Sequence, residues 1–169
     1  MSKAYDRVEW NFLEKIMECL GFDNKWISLI SCCIQTVSYS ILVNGEPRGL
    51  IHPSRGLRQG DPLSPYLFLL CAEGLHALIQ QAKISGKLHG VSLCREGPKV
   101  SHLFFADDSL LFCQANDNDG QSVLDILDTY EQASGQQINR GKTQLFFSTN
   151  TKQPFCNKIS DLFGVPAVS

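Results

Sequence analysis

Two adjacent carboxylates, Asp107 and Asp108, sit between the apolar runs His102-Leu103-Phe104-Phe105 and Ser109-Leu110-Leu111-Phe112-Cys113. Short apolar runs on either side of a turn dipeptide read as two strands of a hairpin buried on at least one side. Two like charges held at its tip repel each other unless water or a cation absorbs the charge. A hard divalent ion such as Mg2+ suits such oxygen donors, because it keeps open positions for water and phosphate. The pair is therefore a candidate metal site for phosphoryl transfer, and the plain alternative is an ordinary turn built from a good turn residue.

Around this hairpin the sequence alternates between helical and strand periods. Val8, Phe12, Leu13, Ile16, Met17 and Leu20 recur at helical spacing up to Gly21. Asp23 or Asn24 then caps a second helix with Trp26, Ile27, Ile30, Cys33, Ile34 and Val37 on one stripe. From Tyr39 the period changes to two, and Asn44-Gly45 predicts a tight hairpin over about 39 to 52. Pro47 cannot donate to a ladder, which makes the returning strand an edge. Pro53 to Pro62 reads as an exposed loop, and Leu63 to about Ala82 as a long helix. A helix through Val123, Leu124, Leu127, Tyr130 and Ala133 ends near Gly135, and Thr143 to Ser148 reads as a last strand.

This order, with no internal repeat and no linker, predicts one α+β unit. The 43% hydrophobic and 19% charged residues are those of an ordinary globular chain. A net charge of −2 gives no overall basic footprint, so tight nucleic-acid binding by this chain alone is not expected, although Arg48, Arg55 and Arg58 lie close together in sequence. The seven cysteines lack a CxxC pair and fall mostly in apolar segments, which reads as reduced core thiols of an intracellular protein. No run is long enough to span a membrane, and nucleus and cytoplasm are equally compatible.

The company of the aspartate pair carries further information. In order along the chain stand Lys3-Ala4-Tyr5-Asp6, Arg58-Gln59-Gly60-Asp61-Pro62-Leu63-Ser64-Pro65, Phe105-Ala106-Asp107-Asp108, and Ser134-Gly135-Gln136-Gln137-Ile138-Asn139 followed by Lys142. These stretches resemble the successive palm motifs of reverse transcriptases, in the form found in non-LTR, LINE-type retrotransposons and especially those of plants. The resemblance implies a polymerase palm-like core, with antiparallel β-hairpins packed against helices. It implies that 1–150 form a partial reverse transcriptase domain and that 151–169 are a C-terminal tail leading towards a thumb.

By the same resemblance Asp107 and Asp108 are catalytic and bind Mg2+ in a two-metal site. Tyr5 corresponds to the aromatic residue beneath the incoming sugar that excludes a 2′-hydroxyl. Gln59 and Gly60 correspond to loop residues that contact nucleotide and template, Arg58 faces phosphate, and Lys142 lies near the triphosphate. Each has a plainer alternative: a half-buried aromatic for Tyr5, a solvated loop cation for Arg58, an exposed strand-end cation for Lys142. The implied partners are an RNA template, a DNA primer and deoxynucleoside triphosphates.

The family has a further metal-binding aspartate upstream of the aromatic, and counting back from Tyr5 leads to the position before Met1. The fingers and thumb segments are likewise expected to lie outside these residues. The chain by itself is thus expected to show little or no polymerase activity. A non-catalytic palm remnant or interaction module is the competing expectation. His102, close to the pair, reads as a core or edge histidine.

Overall fold

Asp23 accepts a hydrogen bond from the Lys25 N–H and starts a helix, Asn116 does the same for Asp119, and Gly135 ends that later helix in the left-handed conformation at φ 74°. The computed structural model describes residues 1–168 apart from Leu93 and Glu96. In chain order the elements are α1 (Trp10–Cys19), α2 (Asn24–Gln35), β1 (Tyr39–Val43), β2 (Glu46–Ile51) and α3 (Ser64–Ile84). They continue with β3 (Val91–Ser92), β4 (Lys99–Val100), β5 (His102–Phe105), β6 (Asp108–Leu111), α4 (Asp117–Ser134), β7 (Leu145–Phe146), α5 (Gln153–Phe163) and β8 (Ala167–Val168).

The long helix α3 organises the interior. Its first half packs Leu67, Phe68 and Cys71 with Ala4, Val8, Leu13, Met17, Ile27 and Ile30, so that the N-terminal segment, α1 and α2 share one core. Its second half packs Leu75, Ile79 and Ala82 with Leu88 and with Val123, Ile126 and Tyr130 of α4. Phe12 reaches both groups, and it can do so because residue 74 is glycine: a Cβ there would lie 2.8 Å from Cζ of Phe12.

The strands form antiparallel pairs β1–β2, β3–β4 and β5–β6 and a parallel pair β7–β8, each two-stranded. The α+β class is as expected, but the hairpins differ in how they pack. In β5–β6 Phe104 and Leu111 rest on the second core, while Leu103, Phe105 and Leu110 on the other face are exposed. Every residue of β1 and β2 is exposed, so this hairpin is not packed against helices as the resemblance implies. Its turn is nevertheless the one Asn44-Gly45 predicts, with φ 51° and 84°.

Other differences concern the chain's later part and its thiols. The strand expected over Thr143 to Ser148 shrinks to Leu145–Phe146, and the expected tail contains α5 and β8. Helix α5 buries Cys156 and Ile159, and Gly120 of α4 admits it, since a Cβ there would lie 3.0 Å from Leu162. Cys19, Cys32, Cys33 and Cys94 are exposed, contrary to the core-thiol expectation, whereas Cys71 and Cys156 are buried. Among the described residues no helix is long and apolar enough to cross a membrane.

Candidate nucleotide and metal site

The aspartate pair lies where the sequence puts it, at the tip of a hairpin. Phe105 pairs with Asp108, leaving Ala106-Asp107 as a two-residue turn. Ala106 takes φ 52°, a region that a residue with a Cβ adopts at a cost of about 1 kcal/mol or more. Both aspartates are exposed.

The start of the chain comes to this turn. The Met1 nitrogen donates to the Asp107 carbonyl at 3.2 Å, and the Ser2 N–H donates to the Gln137 carbonyl at 2.7 Å. Lys3, at φ 48°, turns the backbone back into the molecule. The following residues are laced to the loop before α3: Leu57 N–H donates to the Tyr5 carbonyl and Gly56 N–H to that of Val8, both at 2.8 Å. Residue 56 must be glycine for this approach, because at φ 92° a Cβ would lie 2.7 Å from the Asp6 carbonyl oxygen. Trp10 locks the same loop by donating its indole N–H to the Gly56 carbonyl at 2.7 Å.

The half-buried Tyr5 ring stacks on Phe68 of α3, with centroids 4.7 Å apart and planes 12° from parallel. On the loop, Gln59 donates through Nε2 to the Asp6 carboxylate at 3.3 Å, and Arg58 is exposed. Arg58 lines a cavity of about 240 Å3 together with Asp6, Cys33, Tyr39, Arg55 and Asp61. Arg55 pairs with Glu9 at 3.1 Å. Gly60 takes φ 85° with nothing within 4 Å of where a Cβ would stand, so it serves the turn and leaves open space.

Tyr5, Arg58, Gln59 and Gly60 thus belong to two segments joined by backbone hydrogen bonds, and Met1 links them to Asp107. Lys142 stands apart. It is exposed in a turn closed by its own N–H to the Asn139 carbonyl at 2.9 Å, and no described hydrogen bond or ion pair ties it to the other candidates.

Buried polar residues behind these segments escaped the sequence reading. Gln136, 1% exposed, donates through Nε2 to the Ala4 carbonyl at 3.0 Å and accepts from the Tyr130 hydroxyl at 2.8 Å. Tyr130 also lies 3.2 Å from the Cys71 carbonyl, and burial raises its phenol well above the ordinary value. Burial likewise pushes the Cys71 thiol up to about 12. A polar residue in a loop motif looks solvated in the sequence, and only the fold shows it enclosed.

Metal ligation meets a limit in the donor set. Among the described residues no three His, Cys, Asp or Glu side chains come together as a metal-holding group. Two exposed carboxylates on adjacent residues do not amount to the shared ligand set that a pair of divalent ions needs, so the residues present do not fit a complete two-metal centre.

Comparison with known proteins decides the family. The family model "Reverse transcriptase (RNA-dependent DNA polymerase)" matches residues 1–157. The chain belongs to the reverse transcriptase family. Relatives include an uncharacterized mitochondrial protein of Arabidopsis thaliana, 54% identical over 68 residues, 40% of this chain and 56% of that protein. The retrovirus-related Pol polyprotein from type-1 retrotransposable element R2 of Popillia japonica is 29% identical over 140 residues, 83% of this chain and 22% of the polyprotein. The uncharacterized 149 kDa protein of transposon TX1 from Xenopus laevis is 25% identical over 153 residues, 90% of this chain and 11% of that protein. The chain therefore spans only part of each of these relatives. Every candidate residue from Tyr5 to Lys142 lies inside the reverse transcriptase match.

Proposed function

We propose that this chain is the palm portion of an RNA-directed DNA polymerase of a LINE-type retrotransposon, and that residues 1–150 carry it. In this reading Asp107 and Asp108 supply carboxylates for Mg2+, and Tyr5 lies beneath the sugar of the incoming deoxynucleotide. Arg58, Gln59 and Gly60 line its approach and that of the template. Lys142, exposed in the turn after Asn139, supplies a cation for the triphosphate. The RNA template and DNA primer are held by a longer polypeptide than these residues.

The observation that carries the reading is the contact of Met1 with Asp107 at 3.2 Å. In this reading a residue joined to the Met1 nitrogen lies beside the aspartate turn, where a third carboxylate belongs in a metal-dependent polymerase, and the Met1 contact supports that arrangement. Backbone bonds from Leu57 to Tyr5 give the reading its second support, because they bring the aromatic residue to the loop of Arg58 and Gln59. The test is incorporation of dTTP on a poly-rA template by a polypeptide in which these residues are preceded by Asp and flanked by fingers and thumb sequence of a related element. A second reading, a palm-fold protein without catalysis, is favoured for the bare chain by its incomplete donor set among the described residues. Its mark would be a failure of the extended polypeptide to incorporate any nucleotide.

A further inference from the structure

We propose that Gln136 is a positioning residue of the nucleotide site, acting through Ala4 on Tyr5; the proposal rests on the polymerase reading of Tyr5. Gln136 is 1% exposed, and a buried amide is tolerated only where its donor and acceptor are both satisfied. Here they are. Its Nε2 donates to the Ala4 carbonyl at 3.0 Å, and its Oε1 accepts from the Tyr130 hydroxyl at 2.8 Å. Tyr130 belongs to α4 and lies against the Cys71 carbonyl of α3, so the amide ties the start of the chain to the two central helices.

The consequence for Tyr5 follows from peptide geometry. The carbonyl of Ala4 lies in one rigid plane with the nitrogen and Cα of Tyr5, so a bond to that oxygen holds the Tyr5 N–Cα bond and leaves rotation about it to be restrained from the other side. The Tyr5 carbonyl is held on the other side by Leu57 N–H at 2.8 Å, and the ring lies on Phe68. A ring that discriminates against a hydroxyl by contact depends on sub-ångström placement.

Few side chains suit the position. Glutamate keeps the acceptor for Tyr130 but has no proton for Ala4 when ionised, asparagine is a methylene shorter, and leucine offers neither function. The neighbouring Gln137 is exposed and uses its backbone carbonyl to hold Ser2, so it serves as an internal control of the same residue type.

The test labels the chain's four tyrosines, Tyr5, Tyr39, Tyr66 and Tyr130, with 3-fluorotyrosine and follows each by fluorine NMR. Gln136→Glu and Gln136→Leu are expected to move the Tyr5 and Tyr130 signals and to leave Tyr39 and Tyr66 in place, while Gln137→Glu moves none. Titration with dATP and with ATP, which differ in the 2′-hydroxyl, is expected to shift the wild-type Tyr5 signal at lower dATP concentration. That preference should narrow several-fold in Gln136→Glu. A Tyr5 signal that answers dATP but is unmoved, with unchanged preference, in both Gln136 variants overturns the proposal alone. A wild-type Tyr5 signal that answers neither nucleotide overturns the nucleotide role of Gln136 in this chain, while the polymerase reading stands or falls separately on incorporation by the extended polypeptide. If both variants fail to fold, hydrogen exchange in the wild-type chain decides: the Nε2 protons of Gln136 should exchange as slowly as core amides, and fast exchange overturns the clamp.

Discussion

The backbone nitrogen of Met1 donates to the carbonyl oxygen of Asp107, residues 106 positions apart in sequence and 3.2 Å apart in space. Lys3 and Ala106, one in each of the segments that meet here, both adopt positive φ without being glycine. Such conformations cost energy and persist only where surrounding contacts hold them. Gln137, Gln136 and Leu57 hold the first residues, and Met1 joins those residues to the hairpin tip.

That relation makes the glycines that allow it sensitive. Gly135 takes φ 74°, and a Cβ there would lie 2.6 Å from the Arg7 carbonyl oxygen. Gly86 takes a similar φ of 70° with open space around it. Gly86→Ala should therefore cost about 1 kcal/mol from backbone strain alone, and Gly135→Ala clearly more, as measured by urea unfolding.

Asp119 joins the loop after α3 to the start of α4. Its carboxylate, 1% exposed, accepts from the backbone N–H of His89 at 2.8 Å and of Gln114 at 3.2 Å, and from the Asn116 amide at 3.2 Å. Burial works to raise its pKa, but the hydrogen bonds from His89, Gln114 and Asn116 outweigh it and hold the carboxyl below its ordinary value of 3.8. A depressed carboxylate stabilises the fold fully above its ordinary value, and that contribution is lost as pH falls through the folded value. Asp119→Ala should cost about 2 kcal/mol at neutral pH by leaving buried N–H groups unpaired. The variant's stability should also fall less steeply than the wild type's in acid below pH 3.8.

His102 gives a pH effect at milder acidity. Its Nε2 lies 2.8 Å from Nδ1 of His76, and its Nδ1 lies 2.9 Å from the Ser101 hydroxyl. Burial lowers its pKa below the ordinary 6.5, with the neighbouring His76 and Lys83 adding to the effect and Glu73 opposing it. The folded state therefore favours the neutral ring, so stability present above 6.5 is lost as pH falls through the lower folded value. Melting temperatures of His102→Gln should vary less than those of the wild type in that window, and an equal pH slope would speak against this coupling.

The sequence made the helices and the hairpin turns legible because their signals are local. Asp23, Gly135 and Asn44-Gly45 act on their own neighbourhood, and the alternation of Leu67, Cys71 and Leu75 needs no distant partner to be read. The aspartate turn and the long helix before which Arg58 stands were legible for the same reason. What escaped is long-range. Gln136 bonds Ala4, 132 positions away, and no spacing rule connects them. That the β1–β2 hairpin packs against helices is implied only by the family resemblance, and although Tyr39, Ile41 and Val43 alternate along β1, all residues of the hairpin are exposed. Helix α5 begins at a Lys152 cap whose side chain makes no capping hydrogen bond, and the boundary signals it does carry, Pro154 in its first turn and Gly164 at its end, are missed when 151–169 are read as a tail.

That exposed hairpin predicts tolerance. Ile41 is 59% and Leu42 71% exposed, so Ile41→Lys and Leu42→Lys should change unfolding free energy by less than about 0.5 kcal/mol. Both should lower aggregation, measured by light scattering, because unguarded apolar edge strands pair readily with other chains.

Primer extension on poly-rA with dTTP and Mg2+ tests the central claim most directly. The 169-residue chain is predicted to incorporate nothing above background, since its described residues do not bring a third carboxylate to Asp107 and Asp108. An Asp placed immediately before Met1, together with fingers and thumb sequence from a related element, is predicted to yield incorporation that Asp107→Asn or Asp108→Asn abolishes. Robust synthesis by the 169-residue chain itself, or synthesis by the extended polypeptide that survives Asp107→Asn and Asp108→Asn, would contradict the account.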